Sequence, residues 1–131
     1  MSAEKTLRAF YEAFNLHDFD GAIELMAPEV ELHPALGGVL DIESEYRGQE
    51  EARRFFKTIT EGAHVKVDLK EIIDLGDDQL LSVESWRPRV RQGMETEIEV
   101  SDLFTFRGGL IVRVVGFRDR AEALEAAKSA E

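Results

Sequence analysis

The chain has 131 residues, 44% apolar and 33% charged, which is ordinary globular usage, and one domain spanning residues 1–131 is expected. Asp and Glu number 27 against 16 Lys and Arg; the formal charge of −11 repels phosphate backbones and anionic lipid heads and argues against nucleic-acid partners. With no cysteine, disulfides, thiolate nucleophiles and zinc-thiolate sites are excluded, and any catalysis falls to His, carboxylates, hydroxyls or Arg.

Met1 to Thr6 lacks the basic and apolar regions of a signal peptide, and no apolar run approaches the ~20 residues that span a bilayer, so a cytoplasmic protein without membrane contact is expected. Leu7, Phe10, Tyr11 and Phe14 then form one apolar stripe of a first helix, capped by Ser2 and ending near Asn15. Asp18 caps a short second helix with Phe19, Ala22, Ile23 and Met26 on its inner face, and Pro28 stops it. Val30 to Pro34 reads as a short strand. The stretch from Ala35 to Ser44 reads as an irregular loop fit to cover a pocket mouth. Gly48 precedes a third helix carrying Ala52, Phe55, Phe56 and Ile59 at helical spacing, closed by Gly62.

From Val65 the period changes to two, and the second half reads as sheet. Val65 to Leu75 turns at Gly76-Asp77-Asp78; Gln79 to Arg91 and Glu95 to Arg107 form a long hairpin about Gly93; Gly108-Gly109 leads into Leu110 to Arg118, and Ala121 to Lys128 ends the chain as a brief helix. A loop centred on Gly93 sets Arg91 opposite Glu95, Arg89 opposite Glu97 and Arg87 opposite Glu99, three ion pairs on one face at roughly 0.2 to 1 kcal/mol each. The other face then carries Ser82, Glu84, Trp86 and Pro88 against Phe104, Asp102, Val100 and Ile98, with Glu84 directly opposite Asp102.

Two carboxylates side by side on an apolar face cannot both ionise cheaply, so one keeps its proton near neutral pH. A neutral acid there donates to a developing oxyanion while its ionised neighbour acts as acceptor or base. The bland alternative is that either carboxylate pairs with an arginine, or that the face is wetter than this pattern implies. His33, before Pro34 on the first strand, is the third candidate because imidazole titrates near neutrality, although a lone His on a strand is more often packed or solvated. His17 and His64 read as solvated. Trp86 is either plain core or, as its carboxylate neighbours favour, an aromatic wall of the pocket, and Phe10, Val100, Phe104 and Tyr46 complete the expected ligand contacts. The Arg row reads as a solvated ladder or a subunit contact. His and carboxylates do not gather at metal-ligand spacing, and no glycine-rich phosphate loop or Gly-x-Ser-x-Gly elbow occurs, so neither metal nor cofactor is expected.

The runs Tyr11-Glu12-Ala13-Phe14-Asn15, Met26-Ala27-Pro28-Glu29-Val30-Glu31-Leu32-His33-Pro34 and Tyr46-Arg47-Gly48 resemble the first half of SnoaL-like proteins, in the nuclear transport factor 2-like superfamily. Phe104 to Arg113 and Phe117 to Leu124 resemble the second half. The resemblance implies an α+β cone, three helices packed on a curved antiparallel sheet around one pocket, in a family of isomerases, dehydratases, epoxide hydrolases, polyketide cyclases and non-catalytic binding modules. In its ketosteroid isomerase branch the general base is a carboxylate before a proline, where this chain has His33. That branch's protonated aspartic acid matches Asp102 of Asp102-Leu103-Phe104-Thr105-Phe106. The branch's oxyanion tyrosine falls on Phe10, with Tyr11 one step round the helix.

These residues imply a small apolar ligand bearing a carbonyl, and isomerisation, cyclisation or dehydration with His33 as base and Asp102 with Glu84 as acid. The alternative is a non-catalytic ligand-binding or dimerisation module. Family members commonly pair through the outer sheet face, which implies a homodimer.

Overall fold

The computed structural model describes residues 2–38, 41–62, 65–87 and 97–129. Helix α1 (Ala3–Asn15) starts where Ser2 Oγ accepts the Lys5 N–H at 3.2 Å, and it buries the predicted stripe of Leu7, Phe10, Tyr11 and Phe14. Helix α2 (Phe19–Glu24) is capped by Asp18, which accepts the Gly21 N–H at 3.0 Å. A Cβ on Gly21 would meet Asp18 Oδ2 at 2.4 Å, so glycine there makes the cap possible. Strand β1 (Met26–His33) follows at once and runs through Pro28, which was expected only to end the helix. The β1 register shifts between Met26 and Glu31, and such an irregularity is where a residue without an N–H fits a strand.

The expected loop folds back to give β2 (Tyr46–Arg47), and α3 (Gly48–Lys57) continues into a π-helical turn, Thr58–Gly62. Then come β3 (Lys66–Gly76), β4 (Gln79–Arg87), β5 (Ile98–Arg107), β6 (Leu110–Phe117) and α4 (Arg120–Ser129). The six strands form one curved sheet in the order β2-β1-β6-β5-β4-β3. The sheet is mixed, a correction to the antiparallel expectation: β3 to β6 meander antiparallel, but β1 lies parallel to β6. Helices stand between β1 and its partner in the chain, so no hairpin fixed their direction.

The β4–β5 register also differs from expectation by two residues. Ser82 faces Asp102, Glu84 faces Val100, Ser85 faces Glu99 and Trp86 faces Ile98. Arg87 is therefore not opposite Glu99, and the Arg89–Glu97 and Arg91–Glu95 pairs lie outside the described residues, as do Pro88 and His64. The observed register sets Leu80 against Phe104 and Trp86 against Ile98. Burying such pairs outweighs exposed ion pairs worth tenths of a kcal/mol. Because the slip is even, every side chain keeps its face.

The concave face, with α1, α2 and α3 on it, holds the main core, rich in Phe10, Phe14, Phe55, Phe56 and Phe104. A second cluster sits on the opposite face, where the directly paired Leu81 and Leu103 pack under Ala123 and Ala127 of α4. This last helix thus covers part of the outer sheet face. No helix among the described residues is long and apolar enough to cross a membrane.

Candidate functional site

One hollow opens between the helices and the concave face, lined by His33, Glu84, Trp86, Asp102, Phe104 and Phe10, together with Tyr11, Pro34 and further apolar side chains. The cavity it encloses is small, about 50 Å³, so a ligand of ordinary size enters only as lining side chains move apart. The imidazole and the two carboxylates that the sequence singled out therefore share one compartment. Val100 and Tyr46 are not among its lining residues. Val100 packs in the core opposite Glu84, and Tyr46 packs on Phe55 while its hydroxyl accepts the Glu43 N–H at 2.9 Å.

At the buried end, Glu84 is 1% exposed and Asp102 9%. Strand alternation puts both on the concave face, and no Arg or Lys salt bridge reaches either of them among the described residues. The alternative of an arginine partner thus has no support among the described residues. Desolvation pushes the Glu84 carboxyl well above the usual carboxylate range, and the neighbouring Asp102 charge pushes the same way. Desolvation also raises Asp102, with Glu84 and Tyr11 pulling it back by hydrogen bonding. Both shifts favour the protonated forms, so the pair holds a proton to higher pH than free carboxylates do. Neither Glu84 oxygen nor the Trp86 indole nitrogen meets a hydrogen-bond partner at proper geometry, although Tyr11 and Trp86 lie near enough to lower the proton affinity of Glu84.

Tyr11 is the residue that the sequence reading left without a role. Its hydroxyl lies 3.0 Å from Ser82 Oγ and donates to Asp102 Oδ2 at 3.5 Å. Burial, then the Glu84 and Asp102 charges, raise its proton affinity well above the ordinary tyrosine value, so it stays a neutral donor. Phe10 and Tyr11 both line the hollow, so a phenol reaches the acid from the position next to the one the resemblance pointed to. The signal was present in the stripe, where Tyr11 sits four residues after Leu7 and three before Phe14. Gly116, opposite Asp102 on β6, keeps this wall closed: a Cβ there would lie 2.5 Å from the Ala35 nitrogen and 2.9 Å from Asp102 Oδ1.

At the half-exposed end, the β1–β2 pairing sets Arg47 opposite Glu31 and brings Glu45 beside His33. His33 Nε2 lies 3.5 Å from Glu31 and 3.7 Å from Glu45, with no hydrogen bond at proper geometry. Ligand atoms of Glu31, His33 and Glu45 all fall within 4.8 Å of one another, a gathering that the sequence reading did not expect. Arg47 already stands 2.8 Å from Glu45 and 3.5 Å from Glu31, and so supplies the cation that these carboxylates call for. His17 is elsewhere, stacked on Phe19.

A mixed sheet curved around one apolar hollow, with acids at its buried end, is a cone of the nuclear transport factor 2-like kind. Residues 7–114 match the family described as SnoaL-like domain, and the chain belongs to it. Among solved structures, it is similar to TerC co-crystallized with polyporic acid at 19% identity and a TM-score of 0.79, covering 94% of this chain and 95% of that one. RV0760c from Mycobacterium tuberculosis in complex with estradiol-17beta-hemisuccinate is 20% identical, with a TM-score of 0.76 and coverage of 91% and 95%. A computationally designed 17-OHP binder is 20% identical, with a TM-score of 0.74 and coverage of 91% and 94%. Likeness at these identities establishes the fold. No curated protein matches the chain.

Proposed function

We propose that the hollow binds a small apolar molecule bearing a carbonyl and moves a proton on it, the chemistry of an isomerase, cyclase or dehydratase. The observation that carries this reading is the pair of uncompensated acids buried at one end of a compartment whose other end holds an imidazole. His33 takes a proton from the carbon next to the carbonyl, and the Glu84–Asp102 pair, with Tyr11 on Asp102, stabilises the oxygen on which charge develops. The protein works in the cytoplasm and pairs as a homodimer through the part of the outer sheet face that α4 leaves free.

The test needs no knowledge of the physiological substrate. Incubated in heavy water with simple aryl ketones and cyclic enones, the protein should speed exchange of the α-hydrogens for deuterium, read by proton NMR. Binding without any faster exchange would remove the catalytic reading. It would leave the second one, a non-catalytic binding module, which the similarity in fold to a designed binder favours.

A further inference from the structure

Glu84 and Trp86 stand two residues apart on β4, so both project onto the concave face. Both are buried and line the hollow, and three of their polar atoms, the two Glu84 oxygens and Trp86 Nε1, have no hydrogen-bond partner at proper geometry among the described residues, although Asp102, Tyr11 and the indole itself lie near the Glu84 carboxyl. Proteins seldom bury such atoms unsatisfied. Three of them at neighbouring positions of a cavity wall mark the place where a ligand's polar group completes the bonding. The Tyr11 hydroxyl, by contrast, is already engaged with Ser82 and Asp102.

We infer that an uncharged carbonyl oxygen docks between Glu84 and Trp86, accepting one hydrogen bond from the Glu84 carboxyl and one from the Trp86 indole. The inference rests on the reading of the hollow as a ligand site and names the group that fits it. An indole N–H only donates, and a carbonyl oxygen has two lone pairs to accept with. A cationic ligand would leave the indole unpaired. A carboxylate would bring further negative charge beside Asp102, where no Arg or Lys among the described residues offsets it. The docking point is thus one strand away from Asp102, the residue picked out by its motif, and the ligand class narrows to ketones, enones, quinones and the like.

Trp86 is the chain's single tryptophan, so an isotope-labelled sample gives one indole N–H resonance. Three probes of similar size separate the alternatives: acetylnaphthalene, ethylnaphthalene and naphthoate. The ketone should move the indole resonance downfield and bind about tenfold tighter than the hydrocarbon, and naphthoate should not bind. Trp86→Phe and Glu84→Leu should each erase most of the ketone preference, whereas Glu84→Gln, whose amide still donates, should keep it. Backbone resonances of Phe104 and Val114 report folding and binding in every variant. Equal affinity for ketone and hydrocarbon, or an indole resonance unmoved by bound ketone, overturns the docking pair and leaves the ligand site standing. Backbone resonances that no probe moves overturn both.

Discussion

The buried end of the hollow and the cluster around His33, which lines its other end, hold the same residue types in opposite electrical circumstances. At the half-exposed end, Glu31 and Glu45 share Arg47 and the His33 ring and remain in contact with solvent. At the buried end, Glu84 and Asp102 have a phenol, a serine and an indole for company and no cation among the described residues. Sequence composition cannot distinguish these four acids. Burial and the position of a single arginine separate them: two are half-exposed and ion-paired, while desolvation pushes the other two towards their protonated forms.

The most forceful way to break this contrast is Asp102→Asn. If the buried acids carry the developing charge, α-hydrogen exchange should fall on the order of 10³-fold while the melting temperature holds. An unchanged rate would sink the catalytic role. His33→Gln strikes the other end and should slow exchange roughly 10²-fold without weakening ketone binding, which kinetics at varied ketone concentration would show.

Glu84→Gln sharpens the comparison through stability. Because the folded state raises the proton affinity of Glu84, the stability this group contributes is complete below the ordinary carboxylate pKa and is lost as pH rises through its folded value. The amide abolishes that loss. The variant should therefore gain about 1 to 3 kcal/mol over the parent near pH 8, with the gap closing towards about pH 4, as read from denaturant unfolding. Parallel stability curves across that range would contradict a stored proton. Arg47→Ala, at the solvated end, should cost less than about 1 kcal/mol, and even that should shrink in concentrated salt.

How much of this was legible in the sequence depends on which physical rule each residue obeys. Trp86, Glu84, Asp102 and Phe104 were placed on one concave face although the register was misjudged by two, because the period of a strand is two and an even slip preserves faces. The slip itself came from weighting exposed Arg–Glu pairs above apolar pairings. Tyr11 carries no role in the sequence because the resemblance sets the family's tyrosine on Phe10, one step round the helix, whereas both Phe10 and Tyr11 fall within the buried stripe and line the hollow. The parallel partnership of β1 and the cluster of Glu31, His33 and Glu45 were not readable at all. Both depend on where distant segments return, and no local pattern in residues 26–47 records that.

The neighbourly placing of β1 beside β6 ties the first third of the chain to its last strand. Local hairpins can form early, but closing so long a loop is entropically slow, and one wall of the hollow does not exist until it closes. A nascent chain emerging from the ribosome would thus hold its acids and its imidazole long before it had a chamber to put them in. The proposed capture of a small molecule therefore waits for the finished fold.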